Sequence, residues 1–327
     1  MTDLQALPTP DEIEAARAAV AGVAIRTPLV RLNLPDGGPD IRLKLENLQP
    51  TGSFKLRGAA AVLAGAKAED LAAGVVTASA GNMGQGAAWF ARRLGVPCTV
   101  LVPPTAPAAK ISAMEALGAR VLRVSAEDWW RAFEERRAEG IDGVFIHAFD
   151  DPVVMAGNAT IGLEIAESAP STTAVVVPWG GGGLSCGIAA GLRTVGHRAR
   201  VYAAEVGTAA PLSPSLAAGA PVTIDMRPSF VDGIGSRTVL PSMYERAVAL
   251  GIESLVAPVD DVAAALRLVL ERNRVLAEGA GATAVACALA GFRDGVFGLD
   301  DTVVCVVSGG VIGLETVAEL LAPPAAG

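Results

Sequence analysis

The sequence is poor in positive charge, lysine, histidine and cysteine, and each shortage removes a class of function. Its 34 acidic side chains outnumber 26 basic ones, for a net charge of -8. That is the wrong sign for a protein that grips phosphate backbones, so no nucleic-acid partner is expected. Cys98, Cys186, Cys287 and Cys305 are widely spaced, with no C-x-x-C pair. The spacing argues against a disulfide framework and against a thiolate zinc site, and the four read as small apolar residues. His147 and His197 are the only histidines. Two are too few for a three-histidine site and there is no H-E-x-x-H helix, so a catalytic transition metal is not expected. Only Lys44, Lys55, Lys67 and Lys110 are lysines, which leaves amine chemistry few candidates.

Membrane and export signals are also missing. Met1-Thr2-Asp3-Leu4 shows no basic region followed by an apolar run, so the expected location is the cytoplasm. From Ser168 to Leu192 there is no formal charge, but Pro178 and four glycines interrupt the run. It reads as a buried strand, a loop and a buried helix, since a span in lipid needs an unbroken helix.

The 327 residues are enough for a large core in one domain or two, and two lobes are expected. Thr9-Pro10-Asp11-Glu12 has the form of a helix start: cap, proline at the first position, acids in the first turn. Short β-branched runs then recur at 41–46, 75–79, 98–102, 120–124, 144–148, 174–177, 201–205 and 302–308, most separated by helix-length segments. This is the rhythm of a parallel α/β protein, and runs that are apolar throughout predict strands covered on both faces. The tail Pro323-Pro324-Ala325-Ala326-Gly327 reads as frayed.

Ligands of open parallel sheets bind where strands end, and three turns there stand out. Pro178-Trp179-Gly180-Gly181-Gly182-Gly183-Leu184-Ser185 leaves an apolar strand and enters a helix. Its glycines let backbone N–H groups converge at a helix N-terminus, an anion site. Without a following G-K-[ST], a monophosphate ester suits it better than a nucleoside triphosphate. Gly183-Leu184-Ser185-Cys186-Gly187 matches the hydrolase elbow G-x-S-x-G, but no acid followed by a histidine lies downstream, so a triad cannot be assembled in that order. Gly279-Ala280-Gly281-Ala282-Thr283-Ala284 matches G-x-G-x-x-A but follows a helix-like run, which makes it a weak dinucleotide fingerprint.

The second turn, Ser79-Ala80-Gly81-Asn82-Met83-Gly84-Gln85-Gly86, offers N–H groups and small polar side chains to a carboxylate, or simply caps a helix. In the third, Lys55 follows Gln49-Pro50-Thr51-Gly52-Ser53-Phe54 and precedes an alanine-rich helix. Burial there would lower its pKa and make the amine nucleophilic, whereas a solvated lysine would be inert.

Together these turns resemble the fold type II pyridoxal-phosphate enzymes, and within them the threonine/serine dehydratase and serine racemase group. The resemblance runs through Leu45–Lys55, Ser79–Gly86, Asp150-Asp151-Pro152, Ala156-Gly157-Asn158 with 160–165, Gly180–Leu184 and Ser308-Gly309-Gly310. It implies two open parallel-sheet lobes of the tryptophan synthase β-like architecture, with 1–49 and 150–327 as the large cofactor-binding lobe and 50–149 as the small one. It further implies that Lys55 holds pyridoxal phosphate as the internal aldimine and removes the Cα proton. Phe54 would pack on the cofactor ring, Asn82 bond its hydroxyl, Gly180, Gly181, Gly182, Gly183 and Leu184 hold the phosphate, and Ser308 face the pyridine nitrogen. Ser79, Ala80, Gly81, Asn82 and Met83 would receive the substrate carboxylate.

The implied reaction is dehydration and deamination of a β-hydroxy amino acid such as L-threonine or L-serine to a 2-oxo acid and ammonia, by a cytoplasmic homodimer. A racemase or β-replacement enzyme on the same fold, and a non-catalytic cofactor carrier, are the alternatives. Racemases of the group carry a second serine where this chain has Ala80, which has no proton to give. Met83 and Trp179 replace a histidine and a small residue usual in the group and suggest a different substrate preference. Glu205 matches one ligand of the group's divalent-cation site, but Pro211 stands where a second carboxylate is expected, so a bound cation is left open. Val311 and Ile312 stand where an asparagine is usual. The sequence ends soon after this block, so no regulatory domain is expected to follow.

Overall fold

A computed structural model describes residues 7–322; the N-terminal Met1-Thr2-Asp3-Leu4 and the tail 323–327 lie outside them. Among the described residues ten strands form two sheets: β1 Leu29–Arg31, β2 Asp40–Lys44, β3 Val75–Ala78, β4 Cys98–Val102, β5 Arg120–Arg123, β6 Val144–Phe145, β7 Ala174–Pro178, β8 Arg200–Val206, β9 Glu253–Ala257 and β10 Thr302–Val306. The larger sheet has the order β1-β2-β10-β7-β8-β9 and the smaller β5-β4-β3-β6. All pairings are parallel except that of β1 with β2.

The apolar runs form these strands because both faces are covered. Every residue of β3, β7 and β10 is buried, as expected of parallel strands between helix layers. One core lies on each face of the large sheet, the first around Ile41, Leu43, Val176 and Val285, the second around Ile161, Val175, Val177 and Trp179. A third, around Leu56, Met83, Val100 and Met114, fills the small lobe. Strands β1 and β9 are additional to the eight runs. Both lie at sheet edges and are partly exposed, so neither has the continuous apolar stretch that marks a central strand.

Helix boundaries follow from cap chemistry. Thr9 and Glu12 form a reciprocal capping box at the start of the helix Pro10–Val20. Asp151 accepts from the N–H groups of Val153 and Val154 at the start of the helix Pro152–Ser168. The charge-free stretch 168–192 is a helix end, strand β7, the glycine loop and most of the helix Gly183–Thr194. Among the described residues no helix is long and apolar enough to cross a membrane.

The helix Lys55–Gly65 packs against both Pro152–Ser168 and Asn82–Leu94 and so joins the two sheets. A Cβ on Gly157 would lie 2.5 Å from the carbonyl oxygen of Arg57, so only glycine permits this approach of the first two helices. Five segments leave the carboxyl ends of parallel strands: 45–55 after β2, 79–82 after β3, 146–150 after β6, 179–183 after β7 and 307–310 after β10. Four of them hold the candidate site residues expected from the sequence.

Candidate active site

Lys55 is the first residue of its helix. Its Nζ donates to the carbonyl of Ala148 at 2.5 Å and lies 4.9 Å from the centroid of the Phe54 ring. Burial lowers the amine pKa to about 8, against the opposing attraction of the Glu278 carboxylate. The protonated form still predominates near physiological pH, but the neutral, nucleophilic fraction is far larger than that of a solvated lysine. The preceding peptide is tied across the lobes: Phe54 N–H donates to the carbonyl of Ser308 at 3.0 Å, and Gly310 N–H donates to that of Gly52 at 2.9 Å. The end of β10, with buried Ser308, is thereby pinned to the turn before Lys55.

The glycine loop closes the other side. Gly182 has φ +89°, and a Cβ on it would strike the Trp179 ring. A Cβ on Gly181 would strike the Phe149 ring, and one on Gly183 the Phe149 carbonyl oxygen. Phe149 directly follows Ala148, the acceptor of the Lys55 amine, and so links lysine and loop. The first turn of the helix Gly183–Thr194 leaves its N–H groups without intrahelical acceptors. Ser185 Oγ in that turn is fully buried and has no hydrogen-bond partner among the described residues. A crowded glycine cradle, free N–H groups and a buried hydroxyl lacking an acceptor suit an oxyanion such as a phosphate ester.

On the small-lobe side the turn after β3 is held by Gly81 N–H donating to Ser79 Oγ at 3.3 Å, and Asn82 opens the helix Asn82–Leu94. Asn82 Nδ2 donates to both carboxylate oxygens of Glu278, at 2.9 and 3.2 Å. Ser79, Ala80, Gly81 and Asn82 are partly exposed, as a substrate platform requires, whereas Met83 is buried in the small-lobe core. Trp179 is likewise fully buried, in the large-lobe core. Neither side chain faces solvent; Trp179 packs instead under Gly182 of the glycine loop.

Beneath the lysine lies a buried ion network. Arg57 donates to both oxygens of Glu46, both oxygens of Glu164, Thr160 Oγ1 and the carbonyl of Ile25. Lys44 Nζ donates to Glu164 at 2.5 Å and to the carbonyl of Thr27 at 2.7 Å. Although burial opposes its charge, Glu46 is held below the usual carboxylate range by Arg57, Lys44 and Thr27. The segment after β6 is also fixed. His147 Nδ1 accepts from the N–H groups of Phe149 and Asp150, at 3.3 and 2.8 Å, and its ring centroid lies 4.1 Å from that of Phe133. Burial, aided by Arg136, pushes its pKa down to about 3, so it is a neutral structural acceptor.

Several of these residues escaped the sequence reading. Glu278, Ala148, Phe149 and the partners of Arg57 belong to different segments that meet only in space. One signal was available: Glu278 stands alone before the charge-free stretch 279–292, within the segment weighed only as a dinucleotide fingerprint. That segment opens a helix with no strand before it. The four cysteines are buried, and burial raises every thiol, three of them to about 12.

Glu205 is held by three protein donors. Its carboxylate accepts from Leu212 N–H at 2.8 Å, Ser213 N–H at 2.9 Å and Ser254 Oγ at 2.6 Å. Among the described residues no group of three His, Cys, Asp or Glu side chains could hold a metal ion.

The residues present fit pyridoxal phosphate: the partly neutral Lys55 amine, the glycine loop with its free N–H groups, the Asn82 amide and the neutral hydroxyl of buried Ser308. Comparison with known proteins gives the same answer. The chain is 38% identical over 290 residues to an L-threonine ammonia-lyase of Geobacter sulfurreducens, covering 87% of this chain and 70% of that one. It is 33% identical to a catabolic L-threonine dehydratase of Staphylococcus aureus, with coverage of 95% and 91%. Among solved structures, the processed threonine deaminase isoform 2 of Solanum lycopersicum superposes with a TM-score of 0.85 at 30% identity, covering 95% of this chain and 92% of that one. Maize serine racemase gives 0.87 at 27% identity, with coverage of 96% and 97%. Since the family described as pyridoxal-phosphate dependent enzyme also matches residues 20–309, the chain belongs to that family.

Proposed function

We propose that this protein is an ammonia-lyase that converts a small β-hydroxy amino acid, L-threonine or L-serine, to a 2-oxo acid and ammonia. The observation that carries the proposal is the partly buried Lys55 amine, lowered to about 8 and donating to Ala148 after β6, with the residue before it tied to Ser308 at the end of β10. Bound pyridoxal phosphate would supply the electron sink for cleavage at Cα and Cβ. Lys55 would hold it and, once displaced by the substrate amine, take the Cα proton. Gly180–Leu184 and Ser185 would fix its phosphate, Asn82 its ring oxygen, and Phe54 one edge of the ring. Ser308 would face the ring nitrogen with a hydroxyl, which cannot keep that nitrogen protonated as a carboxylate would, and this favours prompt loss of the β-hydroxyl. The N–H groups of 79–83 would receive the substrate carboxylate.

Racemisation is the lesser reading despite the racemase neighbour, because Ala80 presents a methyl where a proton donor is needed. A lobe boundary near residues 50 and 150 follows the two sheets, and the cytoplasmic homodimer implied by the resemblance completes the proposal. No divalent cation is proposed at Glu205, whose carboxylate already accepts from two backbone N–H groups and one hydroxyl.

The test is to load the purified protein with pyridoxal phosphate and assay 2-oxo acid and ammonia from L-threonine, L-serine and bulkier β-hydroxy amino acids. Equimolar 2-oxo acid and ammonia, abolished in Lys55→Ala, are expected. A visible lysine-bound chromophore without turnover would leave a cofactor carrier, and D-amino acid as main product would make it a racemase.

A further inference from the structure

Glu278 is the residue before the helix Gly279–Arg293, where an acid commonly caps the first turn, yet its side chain makes no cap hydrogen bond. Both oxygens turn instead to Asn82 Nδ2, on the other lobe. Two glycines make room for this: a Cβ on Gly309 would lie 2.5 Å from Glu278 Oε1, and one on Gly233 3.2 Å from it. The Glu278 N–H donates to the Gly309 carbonyl at 2.9 Å, so its backbone is fixed as well. The carboxylate is buried, and no other asparagine, glutamine or lysine side chain donates to it among the described residues.

A primary amide has an accepting edge and a donating edge, and an ionised carboxylate only accepts. Facing Glu278, the amide of Asn82 must present nitrogen. Its two N–H bonds diverge too widely for both to reach one carboxylate, so one is shared between the oxygens and the other is left to point elsewhere. We propose that Glu278 is a positioning residue: ionised, it orients the Asn82 amide so that the remaining N–H, and not the carbonyl, meets the ring oxygen of the cofactor. The role assumes the cofactor site proposed above. A protonated Glu278 could donate to Asn82 Oδ1 and release the amide to flip, which makes the orientation dependent on pH.

The groups facing Glu278 set where that change falls. Burial, the largest influence, and the charge of Asp232 oppose ionisation, while Asn82, Lys110 and the Val311 N–H favour it, and together they push the carboxyl up to about 7. Lys110 and Asp232 are themselves paired at 2.6 Å across the lobes, so their effects on Glu278 largely offset each other. Lys55 adds a further attraction. Val311 N–H serves through its backbone, whatever side chain stands at that position.

The experiment compares wild type, Glu278→Gln and Glu278→Ala, each confirmed folded by circular dichroism, for pyridoxal phosphate affinity and visible spectrum on either side of pH 7. Wild type is expected to show a change in spectrum and affinity as pH falls through about 7. Glu278→Gln can still accept from Asn82 but cannot ionise, so it is expected to bind the cofactor without that step. Glu278→Ala is expected to bind at least about tenfold more weakly, as the loss of a charge-assisted hydrogen bond implies. The same step in Glu278→Gln, or wild-type affinity in Glu278→Ala, would overturn the role of Glu278 and leave the cofactor site standing. A wild-type protein that takes up no pyridoxal phosphate would overturn both.

Discussion

Arg57 and Glu46 meet edge to edge in the interior: Nε donates to Oε2 and Nη2 to Oε1, both at 2.8 Å, with neither side chain in appreciable contact with water. Arg57 lies two residues after Lys55 on the same helix, and Glu46 follows β2. The pair therefore fixes the first turn of the lysine helix against the large sheet. Glu164, on the helix Pro152–Ser168, binds the outer edge of the same guanidinium.

Among the described residues, Arg57→Met leaves buried Glu46 and partly buried Glu164 facing one remaining cation, Lys44. A loss of about 3–5 kcal/mol in stability is expected, as for other broken buried pairs. Arg57→Lys keeps the charge but loses the planar fork, so it is expected to recover only part of this. Chemical denaturation followed by circular dichroism measures both, and an unchanged midpoint in Arg57→Met would contradict the positioning role of the network.

The Lys55 pKa of about 8 sets a direction for pH dependence. In the proposed role the neutral Lys55 amine would attack the aldehyde of pyridoxal phosphate, so the rate of cofactor uptake by cofactor-free protein is expected to rise with pH and level off above about 8. The stability linkage has the same sense. The unfolded lysine titrates near 10.5 and the folded one near 8, so between these values the unfolded chain binds more protons and stability rises with pH. Lys55→Ala is expected to remove both trends. Stopped-flow absorbance and denaturation at several pH values would show them.

Substitution in the glycine loop separates side-chain from backbone crowding. Gly181→Ala is expected to cost about 1–3 kcal/mol in cofactor affinity or stability, because its methyl meets the Phe149 ring. Combining it with Phe149→Ala is expected to restore much of the loss. Gly183→Ala meets the backbone of Phe149 and has no such remedy. Cofactor titration by fluorescence distinguishes the two cases, and equal rescue of both would show that the loop does not rest on Phe149.

At Glu205, removal of the carboxylate exposes the N–H groups of Leu212 and Ser213 as unpaired donors. Glu205→Ala is expected to lower stability by about 1–3 kcal/mol for each donor left unsatisfied. A chelator is expected to leave melting temperature and turnover of wild type unchanged. A fall in either, reversed by magnesium, would mean that a cation competes successfully for this carboxylate.

Ala80→Ser places a hydroxyl in the turn that also carries Asn82. Some racemisation of serine is expected alongside elimination, read by chiral chromatography. No D-serine, in a variant that still eliminates, would show that a hydroxyl at position 80 does not reach Cα.

Much of the arrangement was legible along the chain because its signals are local. The apolar runs of β3, β7 and β10 are dictated by burial on both faces, the cap at Thr9 by the chemistry of a helix start, and the strand-to-helix turn at Gly180–Gly183 by four successive glycines. Lys55 was one of only four lysines and stood in a distinctive turn, so its candidacy needed no coordinates.

What the tertiary structure alone decided is how those segments face one another. The edge strands β1 and β9 have partly exposed residues and are defined mainly by their neighbours. Met83 and Trp179 sit beside glycine-rich turns in sequence, but helix and strand periodicity aims both side chains into the cores. Glu278 and Asn82 are 196 residues apart, and Arg57 and Glu164 are 107 apart. A sequence specifies such pairs only through the folded sum of all its local preferences, because burial, and the pairing of charge that burial demands, exist only after the two sheets and the helices between them have assembled.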